Sequence, residues 1–82
     1  MKQEEAAGVI LNIFQRKIAK NGDKAGDVLS HKVLHVEYFK KTGSGLGFFE
    51  GVNWLLKKKW LEAVEGQENC HRMTRAGRQA DL

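Results

Sequence analysis

Apolar residues recur through the first quarter of the chain at the spacing of a helix. Ala6, Val9, Ile10, Ile13, Phe14 and Ile18 stand three and four residues apart and form one wide apolar stripe, which predicts a helix over about 4–20. Glu4 and Glu5 fall in its first turn, and Arg16, Lys17 and Lys20 fall near its last, the arrangement that complements the helix dipole. Asn21-Gly22 is a stop signal, because glycine readily takes the left-handed conformation that closes a helix. Residues 21–28 then read as a polar, turn-rich connection, in which Asp27-Val28-Leu29 has room for a very short strand.

Ser30 is a suitable N-cap for a second helix over about 31–41. Val33, Leu34, Val36, Tyr38 and Phe39 are expected to supply its buried side, with Lys32, Glu37, Lys40 and Lys41 facing water. Gly43-Ser44-Gly45 ends this helix and allows a sharp change of direction. A third helix over about 45–58 places Phe48 or Phe49 with Val52, Leu55 and Leu56 on one face. Its other face carries Glu50, Gly51, Asn53, Trp54, Lys57 and Lys58. Residues 60–64 alternate as a half-buried strand, Glu65-Gly66-Gln67-Glu68-Asn69 makes a hairpin tip, and residues 70–74 return beside the first strand. The expected fold class is mainly α with a small β-hairpin, with no proline and no internal repeat.

Length and composition narrow the picture further. Eighty-two residues suffice for one core and not for two, so a single domain over 1–82 is expected. No run approaches the length of a membrane span, and the polar, acidic start does not resemble a signal peptide, so a cytoplasmic location is expected. The lone Cys70 allows no internal disulfide. The net charge of +4 is uneven: residues 1–39 carry six Lys/Arg against five Asp/Glu, and residues 40–82 carry eight against five. That bias raises the expectation of a polyanionic partner, because neutralising phosphates releases counterions.

Several residues invite chemistry. His31 and His35 are four apart on the predicted second helix, as two metal ligands on one face would be, and Cys70-His71 lies elsewhere, but the chain has no Cys-x-x-Cys and nothing in the sequence brings Cys70 to that helix. No metal or other cofactor is expected. Gly43-Ser44-Gly45-Leu46-Gly47 is glycine-rich but follows a helix and lacks the lysine of a phosphate loop; with no Gly-x-Ser-x-Gly either, an enzyme is not expected. Lys57-Lys58-Lys59 can be a phosphate clamp or simply a solvated helix C-terminus. Trp60 is expected in the core against the first helix, while Trp54 can be either core or an anchor for a partner.

The order helix, short strand, helix, turn, helix, hairpin resembles the winged helix-turn-helix superfamily of the bacterial transcriptional-regulator type over residues 4 to about 79. The most specific piece is Trp60-Leu61-Glu62 followed by Arg72-Met73-Thr74-Arg75-Ala76-Gly77-Arg78, which is similar to the run that closes the wing in many such regulators. The resemblance implies a partner, double-stranded DNA, with the third helix in the major groove and the wing on the backbone. The residues it would use are Ser44, Asn53, Lys57, Lys58, Arg72, Arg75 and Arg78, in a homodimer held through the first helix. The same fold also serves protein interaction, and in that second reading Glu50 and Trp54 form the interface and no nucleic acid is bound.

Overall fold

A computed structural model describes residues 3–21 and 28–80. In chain order the elements are α1 (Gln3–Asn21), β1 (Val28–Ser30), α2 (His31–Thr42), α3 (Phe48–Lys57), β2 (Leu61–Val64), β3 (Gln67–Met73) and α4 (Arg75–Gln79). The chain is mainly helical with one small antiparallel sheet of order β1-β3-β2. Gly22 and Asp27, assigned above to a helix stop and a strand start, lie outside the described residues.

The core forms where α1 crosses α3. Ala6, Ala7, Ile10, Leu11, Ile13 and Phe14 of α1 are buried against Phe48, Val52 and Leu55 of α3, with Leu34 and Tyr38 of α2 and Leu61 and Met73 of the sheet closing the cluster. Burying a side chain of the Leu or Phe class is worth roughly 1.5–3 kcal/mol, so this cluster dominates the stability. The two helices approach closely because Gly51, expected on the outward face of the third helix, is buried against Ala6: a Cβ on Gly51 would lie 2.8 Å from Ile10 Cδ1 and 3.0 Å from the Ala6 carbonyl carbon.

Ser30 caps α2 as expected, its Oγ accepting from the Val33 N–H at 3.2 Å. At the other end Gly43 takes φ 75° and its N–H donates to the Phe39 carbonyl at 2.7 Å. The buried side of α2 is narrower than its sequence suggests. Leu34 and Tyr38, four residues apart, face the core, whereas Val33, Val36 and Phe39 are exposed. Apolar residues occupy positions all around this helix, and only one seam of it meets the rest of the protein.

Other elements also shift. Leu46-Gly47 belongs to the interhelical turn, held by the Tyr38 hydroxyl, which donates to the Leu46 carbonyl at 2.7 Å, so α3 starts at Phe48 and not near Gly45. Phe48 is buried and Phe49 is exposed. The hairpin tip is shorter than expected, because Gly66 at φ 79° allows a tight turn and β3 begins at Gln67. β1 does pair with β3, setting Leu29 opposite His71 and Ser30 opposite Cys70.

The run after β3 forms a short helix that locks the end of α3. Lys59, at φ 63°, donates its N–H to the Leu56 carbonyl, and the Trp60 N–H reaches back to Leu55, both at 3.1 Å. This is the two-bond pattern of a Schellman helix stop, built on a lysine in place of the usual glycine. Thr74 then binds the exiting chain twice. Its N–H donates to the Trp60 carbonyl at 3.0 Å, and its hydroxyl donates to the Lys59 carbonyl at 2.7 Å while accepting from the Gly77 N–H at 3.0 Å. Gln15 of α1 completes the lock, its side-chain amide donating to the carbonyls of Gly77 at 3.0 Å and Ala80 at 2.9 Å. The Thr-x-x-Gly spacing thus has a local cause, since a Cβ on Gly77 would fall 2.1 Å from the Trp60 carbonyl oxygen.

Two glycine substitutions separate these effects in urea unfolding. Gly66→Ala meets open space and strains only the backbone, and is expected to cost about 1 kcal/mol. Gly77→Ala must push α4 off the Trp60 carbonyl and is expected to cost about 2–3 kcal/mol. Equal losses would show that the α4 contact does not constrain the fold.

Candidate nucleic-acid interface

The outward face of α3 is set by its inward one. With Phe48, Val52 and Leu55 committed to the core, Phe49, Asn53 and Lys57, at i, i+4 and i+8, form the opposite stripe, and all three are exposed. Glu50 is exposed beside this stripe. Trp54 is half-buried: its ring meets Trp60 edge to face at 5.6 Å, and the Lys58 ammonium lies 5.3 Å from its centroid. Trp60 is also half-buried and packs onto the margin of the core.

Positive charge gathers where α3 ends. Lys57, Lys58 and Lys59 are exposed and form no ion pair among the described residues. The Thr74–Lys59 hydrogen bond brings the start of α4, with exposed Arg75, to the same place, and Arg78 is exposed one helical turn on. Arg72 lies on β3 opposite Glu62 and pairs with it at 3.6 Å, both side chains about half exposed. A pair so exposed is worth at most about 1 kcal/mol, so it presents little obstacle to Arg72 turning toward a phosphate.

Ser44 stands apart. It precedes α3 at the end opposite Lys57, and its Oγ accepts from the Leu46 N–H at 3.1 Å, leaving its hydroxyl proton available. Of the residues singled out from sequence, Asn53 and Lys57 therefore share one stripe, Lys58 and Arg75 flank its C-terminal end, and Ser44 lies at the far end. Two further residues belong to this surface. Phe49 went unassigned because adjacent phenylalanines leave open which one turns inward. Lys59, read from sequence only as the end of the Lys57-Lys58-Lys59 run, holds the helix stop itself, a place ordinarily marked by glycine.

A second group of side chains lies behind the start of α3. The His31 ring stacks on Phe49 at 5.2 Å, meets Phe48 edge-on at 4.9 Å, and has His35 at 6.4 Å and His71 at 6.2 Å. The His71 Nδ1 is buried with no hydrogen-bond partner in the structure. Burial lowers the pKa of His71 below its ordinary value, and the nearby His31 lowers it further. His31 is lowered in the same way, by burial and then by His35. Among the described residues no set of three His, Cys, Asp or Glu side chains converges to hold a metal ion.

These histidines fix a pH dependence. Below their ordinary value of 6.5 the unfolded chain binds protons that the folded chain resists, so stability falls as pH drops from 6.5 toward the lowered folded values. Above 6.5 both states are neutral at these sites, and they contribute no slope. Urea unfolding between pH 5 and 7.5 measures this, and His71→Leu is expected to flatten the acid side of the curve.

No helix among the described residues is long and apolar enough to cross a membrane. The chain matches no protein-family model, no curated protein and no solved structure.

Proposed function

We propose that the chain is a winged helix-turn-helix domain that binds double-stranded DNA and regulates transcription. In this reading α3 lies in the major groove, and the β2–β3 hairpin and α4 run along the backbone. Asn53 contacts an adenine edge and Lys57 a guanine or a phosphate, while Lys58, Lys59, Arg72, Arg75 and Arg78 contact phosphates. Ser44 donates its hydroxyl proton to a phosphate at the other end of the helix.

The observation that carries the proposal is the cationic end of α3, where Lys59 holds a left-handed backbone among exposed lysines that form no ion pair among the described residues. A non-glycine residue in that conformation costs about 1 kcal/mol. Attraction to the helix dipole is already provided by Lys57 and Lys58, so the dipole alone gives a third, strained lysine little purpose. A polyanion gives it one. The second reading, protein interaction through Glu50 and Trp54, is less favoured, because Trp54 is half-buried against Trp60 with Lys58 over its ring. A homodimer through α1 would rest on a polar outer face bearing Glu4, Glu5, Asn12 and Arg16, since the apolar stripe of α1 faces the core.

Fluorescence anisotropy with a random-sequence duplex at about 50 and 200 mM salt tests the proposal. Micromolar binding that weakens by orders of magnitude across that range is expected, and Lys58→Ala and Arg75→Ala, at phosphate contacts, should weaken it on every sequence alike. Lys59→Gly should raise stability by up to about 1 kcal/mol while weakening DNA binding, a combination that a merely solvated terminus would not produce. No binding at the lower salt would overturn the proposal.

A further inference from the structure

The large apolar side chains exposed among the described residues, Val33, Val36, Phe39, Leu46 and Phe49, all belong to α2, to the turn after it or to the start of α3. Phe39, Phe49 and Leu46 are 54%, 62% and 78% exposed. They are not scattered. His31, His35 and Phe39 stand at i, i+4 and i+8 on α2, so one row links the outer face of that helix to the turn. At the start of α2 His31 stacks on Phe49 of α3, and His35 Nε2 lies 3.1 Å from where a Cβ on Gly45 of the turn would be. Val36 adjoins Phe39 one helical turn back and extends the patch outward. Exposed apolar side chains gathered on neighbouring elements in this way mark a site that another molecule covers.

The charges around the patch select its occupant. Val36 has Lys32 and Lys40 four residues to either side, both exposed, and Lys41 is exposed as well. Glu37 is the sole acidic residue of α2, and it is engaged by Lys17 at 3.7 Å and Lys40 at 3.9 Å. Two copies of α2 packed antiparallel about Val36 would set Lys32 of each against Lys40 of the other, which repels a second copy. DNA fits no better, since an apolar face offers phosphates nothing. We propose that this face docks a protein partner through an acidic amphipathic helix. Its apolar side would cover Val36, Phe39 and Phe49, and its carboxylates, about 12 Å apart, would meet Lys32 and Lys40. The proposal stands whether or not the domain binds DNA.

The test is selection of short random peptides on the whole chain, with counter-selection on Phe39→Ser, a change at an exposed position that should leave the circular dichroism spectrum and Tm unaltered. Enriched peptides are expected to combine acidic and apolar residues at helical spacing. Their affinity should fall about tenfold or more with either Phe39→Ser or the surface variant Lys32→Glu, and should weaken with salt. Failure to enrich any peptide over the Phe39→Ser variant would overturn the proposal. So would enrichment of basic or uncharged peptides indifferent to Lys32→Glu. A dimer in sedimentation equilibrium that Phe39→Ser dissolves would assign the face to a second copy instead, and binding of anionic phospholipid vesicles lost in the same variant would assign it to a lipid surface.

Discussion

The close approach of Gly77 to the Trp60 carbonyl, sealed by the Thr74 hydroxyl, is the contact on which the rest of the arrangement depends. It fixes the angle at which the chain leaves α3, and therefore where β2 starts and where β3 must return. The same lock has Thr74 donating to the carbonyls of Lys59 and Trp60, the two residues that follow the α3 C-cap. Through Gln15 it ties α4 to the middle of α1, so the end of α3 is held from both sides of the core. The backbone that carries the cationic group at that end is consequently fixed, while the exposed lysine side chains on it keep their own rotamer freedom.

Much of this was readable from the residues alone. The three- and four-residue spacing through α1 is legible because one wide apolar stripe faces a single core, and that stripe runs almost the full length of the observed helix. Ser30 and Gly43 mark α2 correctly because caps act through local hydrogen bonds that need no tertiary partner. The buried face of α2 was not legible. Its valines and Phe39 look like core by composition, but which of them turn inward is decided by what α2 packs against, and that seam takes only Leu34 and Tyr38. The same reason separates Phe48 from Phe49.

The candidate site divides along the same line. Asn53 and Lys57 follow from helix periodicity once the buried face of α3 is known, and Arg72 and Arg75 from their place near the hairpin. The left-handed backbone of Lys59 does not follow, because it is imposed by the turn into β2 and no residue type announces it. Trp54, an aromatic that sequence leaves as core or anchor, is half-covered by its own neighbours, while the exposed aromatics lie elsewhere, at Phe39 and Phe49. The molecule therefore carries two surfaces of different character, a cationic one at the C-terminal end of α3 and an apolar one around its N-terminal end. Phe49 lies at the head of the α3 stripe and belongs to both, so a partner on the apolar face would cover the start of the helix proposed to enter the major groove.

The proposed DNA interface is probed most directly by a two-dimensional ¹H–¹⁵N NMR titration of the chain with a short DNA duplex at low salt. If α3 and α4 meet the duplex, shifts concentrate at Asn53, Lys57, Lys58, Lys59 and Arg75, with the buried side of α1 unaffected. Shifts confined to the outer face of α2, or none at all with excess duplex, would contradict it.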